Sequence, residues 1–258
     1  MPVSLRIIVP KRHTDYRRDH ALFREMVEEF VPPRWAKMVI VGGDAAYGSK
    51  ATRRMVQDRD KRDTARRWGV VFALARTWKT VDGKTIQHLV THVPRQFDQR
   101  AQIPREHAGQ DRTRTFWMYG ICLSLSHVGE VTLVLRKKGR NVGPKHTKIL
   151  VTNLAELTPR QVVCIYQKRW AMELLNWERK SGLGLGQHQV SGDEGRVEKS
   201  VGLAVLAYLL LMRACQHEIV PGKPWSIVQL QHVFRLRVMT NQVEHHVKVR
   251  MIKARKAA

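Results

Sequence analysis

The sequence predicts an α/β fold, and three observations support this prediction. Two short apolar runs, at residues 38–41 and 69–75, are typical of buried strands, and a helical pattern lies between them. Residues 76–157 consist of segments that alternate between apolar and polar side chains and are joined by polar or glycine-containing turns. Helical periodicity returns at Thr158. We therefore predict a core of strands and helices that is interrupted by a β-rich insertion.

The chain is predicted to have four parts. They are a first part of the α/β core at residues 1–75, a β-rich insertion at 76–157, a helical completion of the core at 158–220 and a basic C-terminal tail at 221–258.

The first elements are a strand and a helix. Residues 3–9 form an apolar run typical of a strand. Residues 21–30 have apolar side chains at helical spacing, Asp19 is the predicted cap, and the pair Pro32–Pro33 ends the helix.

The next strand ends in a carboxylate. Residues 38–41 are followed by two glycines and Asp44, which places this side chain at the C-terminal end of a buried strand. Ser49 is the predicted cap of an arginine-rich helix that ends near Arg67, and residues 69–75 form another buried strand.

The β-rich block contains four candidate strands. The segment with His88 and His92 alternates like a strand, so a metal site on a helix is not expected there, and neither histidine has a cysteine at zinc spacing. The four segments are residues 84–93, 113–128, 130–137 and 146–153.

The helical block begins with a strong local signal. Thr158, Pro159 and Gln161 match a capping box with proline at the first helical position, and Gly182 is a natural stop. A last long helix is predicted over residues 194–218, with its apolar part buried in the core.

Composition points to a polyanionic partner. The 46 Lys and Arg residues against 22 Asp and Glu give a net charge of +24, which opposes compaction unless a polyanion neutralises it. Nucleic acid is therefore the first expected partner. The apolar run at residues 201–212 is shorter than the roughly 20 residues that span a bilayer. Three isolated cysteines indicate buried thiols in a reducing cytoplasm.

Four chemically active side chains are aligned on the predicted helix. Tyr166, Arg169, Glu173 and Lys180 are separated by 3, 4 and 7 positions, so on a helix they form one stripe. A solvated helix face with an Arg169–Glu173 ion pair is the alternative interpretation. The flanking tryptophans at positions 170 and 177 indicate a largely packed helix instead.

The spacing Y-(2)-R-(3)-E-(6)-K resembles the Y-R-E-K signature of bacterial DDE transposases of the insertion sequence 4 group. The segment VIVGGDAAYGSK resembles the strand of that group that ends in the second catalytic aspartate. The resemblance implies a ribonuclease H-like core and a metal-dependent DNA nuclease and strand transferase. It assigns Asp44 and Glu173 as catalytic residues and metal ligands, with Mg²⁺ or Mn²⁺ in a two-metal site.

The resemblance also implies the DNA contacts. Tyr166, Arg169 and Lys180 would contact phosphates of the transposon end, and a tryptophan of the insertion would stack on a flipped base. Trp117 and Trp78 are the candidates, although packing in a core is an equally good explanation for each. The implied partners are transposon ends and target DNA, with a homodimer in a synaptic complex at the bacterial nucleoid.

One departure from the family pattern bears on activity. The family has a first aspartate on a strand upstream, and residues 3–9, which match its third strand, contain no acidic residue. We therefore expect the chain to correspond to the C-terminal portion of a transposase, with the strand at residues 38–41 left at a sheet edge. The alternative function is a non-catalytic DNA-binding remnant that inhibits full-length transposase.

Overall fold

The computed structural model divides the chain into two compact units. The first unit comprises Met1–Arg105 with Thr113–Ala171, and the second Glu106–Arg112 with Met172–Ala258. The residues that the structure describes are 17–93, 97, 99–107, 110–169, 173, 194–218, 239–240 and 242.

The described elements mix helices and strands, as predicted. In chain order they are α1 (Asp19–Glu29), β1 (Met38–Gly43), α2 (Lys50–Arg62), β2 (Arg67–Ala73), α3 (Ile86–His92), β3 (Gln99–His107), β4 (Gln110–Leu125), β5 (Gly129–Lys137), a 3₁₀ turn (Pro144–His146), β6 (Lys148–Thr152), α4 (Pro159–Gln167) and α5 (Glu194–Glu218).

Six strands form one mixed sheet in the order β1-β2-β6-β5-β4-β3. β1 and β2 are parallel, whereas the pairs β2–β6, β6–β5 and β5–β4 are antiparallel. The strands of the predicted insertion therefore extend the same sheet as β1 and β2. Among the described strands, β1 is the end strand of the sheet. Residues 3–9 lie outside the described part, so the expected edge position of β1 stays a prediction.

Helices cover both faces of the sheet in the first unit. Neighbouring residues of a strand point to opposite faces, so Phe72 packs in the layer that contains side chains of α1, α2 and α3, and Val71 packs against α4. Both side chains are fully buried. The sheet therefore separates two apolar cores.

Local signals explain how the first helices are placed. The Ser49 hydroxyl accepts a hydrogen bond from the Thr52 N–H at 3.2 Å and caps α2, as predicted. Arg59 of α2 donates to the carbonyls of Val27, at 2.9 Å, and Phe30, at 2.6 Å, so it satisfies the carbonyls at the C-terminal end of α1.

Two boundaries of the early helices differ from the prediction. α1 has Arg18 as its N-cap residue, without a side-chain cap, and Asp19 is the first helical residue. A carboxylate in the first turn interacts favourably with the helix dipole without capping the helix. α2 ends at Arg62 because Asp63 leaves the helical conformation.

The predicted strand at residues 84–93 is wrong, because this segment contains α3. The Thr85 hydroxyl accepts a hydrogen bond from the His88 N–H at 3.2 Å and caps the helix. Ile86 and Val90 are buried, and their i,i+4 spacing belongs to a helix. The rings of His88 and His92 lie in contact, with centroids 4.0 Å apart and planes tilted by 36°.

α4 begins as predicted and ends earlier than predicted. The capping box of Thr158 and Gln161 is present. The helix ends at Gln167, and Lys168 and Arg169 follow in a turn. The stripe therefore does not continue on α4 beyond Tyr166, and Arg169 reaches its partner from the turn instead.

The described part of the second unit consists mainly of α5. Its bounds agree with the predicted last helix. The prediction that its apolar run is buried is wrong, because Leu203, Leu206 and Leu210 are 67%, 52% and 58% exposed. An apolar run alone does not show which of its faces a neighbour covers. None of the described helices is long and apolar enough to cross a membrane.

The cysteine prediction holds only in part. Cys122 and Cys164 are free thiols, but Cys122 is exposed and Cys164 is half-buried, so neither is the buried thiol that was expected.

Candidate active site

Asp44 immediately follows the C-terminal end of β1. Its main-chain carbonyl accepts hydrogen bonds from the N–H groups of Tyr47 and Gly48, at 3.1 and 3.2 Å, which forms the turn that leads into α2. The Asp44 side chain is 48% exposed. A strand, a tight turn and a capped helix thus hold an accessible carboxylate at one end of the parallel pair β1–β2.

Two residues of the predicted stripe contact this carboxylate. The Tyr166 hydroxyl donates to Oδ1 of Asp44 at 3.2 Å, and Nη1 of Arg169 donates to Oδ2 at 3.2 Å. Tyr166 is only 4% exposed, because its ring belongs to the apolar core beneath α4. The structure therefore brings together three of the predicted site residues, from segments more than 120 positions apart in sequence.

Positive charge surrounds the Tyr166 ring. Nζ of Lys148 lies 4.8 Å from the ring centroid, and the guanidinium carbons of Arg169 and Arg136 lie at 5.5 and 5.9 Å. Burial lowers the pKa of Arg136, the nearby Tyr166 raises it, and the positive charges of Arg114 and Arg169 lower it further. Among the described residues, several cations therefore surround the Asp44 carboxylate and the Tyr166 ring.

An open groove of about 460 Å³ lies beside Asp44. Its walls come from the ends of β1, β2 and β6 and from the 3₁₀ turn. The basic and polar side chains that line it with Asp44 are Arg76, Lys145, His146, Thr147 and Lys148.

The basic residues of this groove were not predicted from the sequence. Arg76 follows β2, whereas the others lie just before β6 or at its first position, and these two strands are adjacent in the sheet but far apart in the chain. The only local signal was the basic stretch just before the strand at residues 148–152. Their proximity to Asp44 depends on sheet order, which the sequence pattern did not reveal.

The Asp44 carboxylate has the chemistry of a ligand for a hard divalent cation. Its oxygens are accessible, and Mg²⁺ and Mn²⁺ prefer carboxylate ligands while retaining several waters. In the described part of the chain, no group of three or more His, Cys, Asp or Glu side chains is arranged to hold a metal ion. The Asp44 carboxylate therefore fits the role of one protein ligand to a divalent cation.

Two other predicted site residues lie in the second unit of the chain. Glu173 is helical and half-buried. Lys180 lies outside the described residues. Their roles stay predictions.

The candidate stacking tryptophans lie in an apolar core layer of the sheet. Trp117 is half-buried and packs in the core layer of α1, α2 and α3, whereas Tyr166 packs on the other face of the sheet. The guanidinium carbon of Arg140 lies 5.4 Å from the Trp117 ring centroid. Trp78 packs in the same layer as Trp117, and Arg53 lies 4.5 Å above its ring.

Comparison with known proteins identifies the family. Among curated proteins, none matches this sequence significantly. The family model of the transposase DDE domain matches residues 5–210, a range that includes Asp44, Tyr166, Arg169 and Glu173. Because this match covers most of the chain, the protein belongs to the transposase DDE domain family.

Proposed function

We propose that this protein is a transposase of the insertion sequence 4-like group that cleaves DNA at insertion-sequence ends and transfers the strands to target DNA. One observation carries the proposal: Tyr166 and Arg169, the first two residues of the Y-R-E-K spacing, contact the two oxygens of Asp44. The motif and the strand-end aspartate come from separate segments of the sequence. Their contact supports a common role.

We further propose a ribonuclease H-like core. The parallel unit β1–α2–β2, with Asp44 directly after the C-terminal end of β1, supports this assignment. Functional carboxylates of open parallel sheets lie at this end of the strands.

Asp44 and Glu173 are proposed as the catalytic metal ligands, with Mg²⁺ or Mn²⁺ as the cofactor. When bound, such ions activate the attacking oxygen and stabilise the leaving oxygen of a phosphodiester. The chain itself orients the Asp44 carboxylate through Arg169 and Tyr166. Arg169 also has the charge and geometry to bind a DNA phosphate.

The remaining assignments follow from the family resemblance. Tyr166 and Lys180 would contact phosphates of the transposon end, Trp117 would contact a base, and two copies of the chain would act in a synaptic complex at the nucleoid. A net charge of +24 supports a nucleic-acid substrate.

The test is cleavage of the DNA that flanks the gene. The purified chain would be incubated with a labelled fragment carrying the candidate ends, in Mg²⁺ or in EDTA. We expect Mg²⁺-dependent nicking at the ends that is lost in Asp44→Asn and Glu173→Gln. Lys61→Gln, an exposed substitution on α2, is the control that should cut like the wild type.

The alternative function differs in one outcome. Tight, end-specific binding without cutting in Mg²⁺ or Mn²⁺ would favour a non-catalytic protein that occupies transposon ends and inhibits full-length transposase. Absence of DNA binding would exclude both functions.

A further inference from the structure

The groove beside Asp44 has a charge pattern that the proposed catalytic role does not use. Lys145 and His146 are exposed, and Lys148 is half-buried with its ammonium above the Tyr166 ring. In the described part of the chain, neither Lys145 nor Lys148 has a carboxylate within salt-bridge distance. Lys145 and Lys148 thus line an open groove in which Asp44 is the only carboxylate among the described residues.

Arg76 determines the shape of the groove wall. One terminal nitrogen of its guanidinium donates to the carbonyls of Pro144, at 2.8 Å, Thr147, at 2.9 Å, and Lys145, at 3.3 Å. The other donates to Oε1 of Gln87 on α3 at 2.8 Å. Arg76 therefore fixes the 3₁₀ turn and, with it, the directions of the flanking lysines.

A second set of bonds fixes the base of this turn. The Thr147 N–H donates to the Pro144 carbonyl at 3.0 Å, and the Leu74 N–H donates to the Ile149 carbonyl at 3.0 Å. Thr147 is 5% exposed. The lysines on either side of Thr147 thus project from a backbone that is already ordered, which lowers the entropy lost when they bind a ligand.

We propose that this groove binds the phosphate backbone of a DNA strand beside Asp44, with Lys145 and Lys148 as phosphate contacts and Arg76 as the positioning residue. The inference rests on the proposed function and adds a DNA contact surface to its site. A phosphate chain fits better than a small anion, because the lysines are spread along an open groove. Lysines suit such contacts as mobile point charges.

The test measures the salt dependence of DNA binding. A labelled duplex of about 30 base pairs with random sequence would be titrated with the full chain in EDTA, between roughly 50 and 200 mM NaCl, by fluorescence anisotropy. Each lost phosphate contact lowers the slope of log affinity against log salt by about 0.9. For the double variant Lys145→Gln/Lys148→Gln we expect weaker binding and a slope smaller by about 1.8.

The matched control removes the same charge elsewhere. Lys37 and Lys61 are exposed, and they lie near the start of β1 and the end of α2, respectively. β1 alone separates Lys37 from Asp44 by roughly 20 Å. Lys37→Gln/Lys61→Gln should keep the wild-type slope, and both double variants should keep the wild-type melting temperature.

Arg76→Lys tests the positioning role. This variant keeps the charge but cannot donate to three carbonyls and Gln87 together. We expect its salt slope to fall toward that of the lysine double variant while the far-UV spectrum stays unchanged. A wild-type slope would overturn the positioning role.

The outcomes separate the two proposals. If the wild type binds DNA and the groove variant has the slope of the control, the groove proposal is wrong and the transposase proposal stands. If the wild type does not bind DNA, both are wrong. If the slope of log affinity against log salt falls for Lys145→Gln/Lys148→Gln but not for Lys37→Gln/Lys61→Gln, the groove is a phosphate-binding surface.

Discussion

Nη1 of Arg169 lies 3.2 Å from Oδ2 of Asp44, so the proposed metal ligand is paired with the arginine of the Y-R-E-K spacing. The pair is partly exposed, with 24% of the Arg169 side chain and 48% of the Asp44 side chain accessible. A cation that approaches this oxygen competes with the guanidinium for it. Arg169 therefore both orients the carboxylate and opposes cation binding.

Removal of Arg169 should strengthen cation binding. Partly exposed ion pairs contribute about 0.2–1 kcal/mol, which corresponds to an increase in Mn²⁺ affinity of roughly 1.4- to 5-fold for Arg169→Gln. The measurement is a Mn²⁺ titration followed by electron paramagnetic resonance without DNA. Asp44→Asn is the control and should weaken binding. Unchanged Mn²⁺ affinity in Arg169→Gln would show that the pair does not compete with the metal.

Tyr166 should contribute to stability mainly through its ring. The hydroxyl donates one hydrogen bond to Asp44, whereas the ring is buried beneath α4. We expect Tyr166→Phe to cost about 0.5–1.5 kcal/mol of unfolding free energy. Tyr166→Ala should cost about 3–5 kcal/mol. Urea unfolding measures both, and equal losses in the two variants would contradict the assignment.

Gly69 allows close packing of Leu154 on β2. A Cβ atom at position 69 would lie 2.3–2.6 Å from three side-chain atoms of Leu154, which is fully buried. Gly69→Ala should therefore destabilise the protein by about 1–3 kcal/mol. Gly143→Ala is the control, because a Cβ there meets no atom within 4 Å and its φ is −66°. Equal melting temperatures for the two variants would contradict this packing.

Asp63 should make stability depend on pH in the acid range. Its carboxylate accepts a hydrogen bond from the buried Trp68 indole N–H at 2.8 Å, and this bond is the main cause that lowers the pKa of Asp63 below its ordinary value of 3.8. Since the folded pKa is the lower one, the stabilisation is complete above about pH 3.8 and disappears as the pH falls through the folded pKa.

Thermal unfolding between about pH 6 and pH 2.5 tests this effect. The stability advantage of the wild type over Asp63→Asn should shrink as the pH falls below 3.8. Trp68→Phe removes the donor, so it should reduce the acid dependence that Asp63 contributes. A constant difference between the wild type and Asp63→Asn would refute the linkage.

Local signals predicted the elements well where side chains acted on neighbouring residues. Thr158 and Gln161 predicted the start of α4, and the apolar run at residues 69–75 predicted β2. The error at α3 arose because its short apolar pattern fits both the helical period of about 3.6 residues and the strand period of two. The cap at Thr85 favours the helix. Residue type and spacing also selected Asp44, Tyr166 and Arg169 before their contact was visible.

The sequence pattern did not predict the contacts across the sheet. Arg76 and Lys148 were not predicted as site residues, because their proximity to Asp44 requires β6 to pair with β2 as well as with β5. The position of Arg169 in a turn was also missed, since the end of α4 at Gln167 carries no proline or glycine signal.

The sheet order has a consequence for the folding kinetics. β4 and β5 join through a short turn and β6 follows closely, whereas β2 pairs with β6 only after about 75 intervening residues are closed into a loop, as in the register Ala73↔Leu150. Long-range pairing is slow because the closure entropy precedes the contacts that offset it. We expect the antiparallel β4–β5–β6 meander to form early and the Asp44–Tyr166 contact to form after the rate-limiting step. Substitutions at that contact should then accelerate unfolding and leave the refolding rate nearly unchanged.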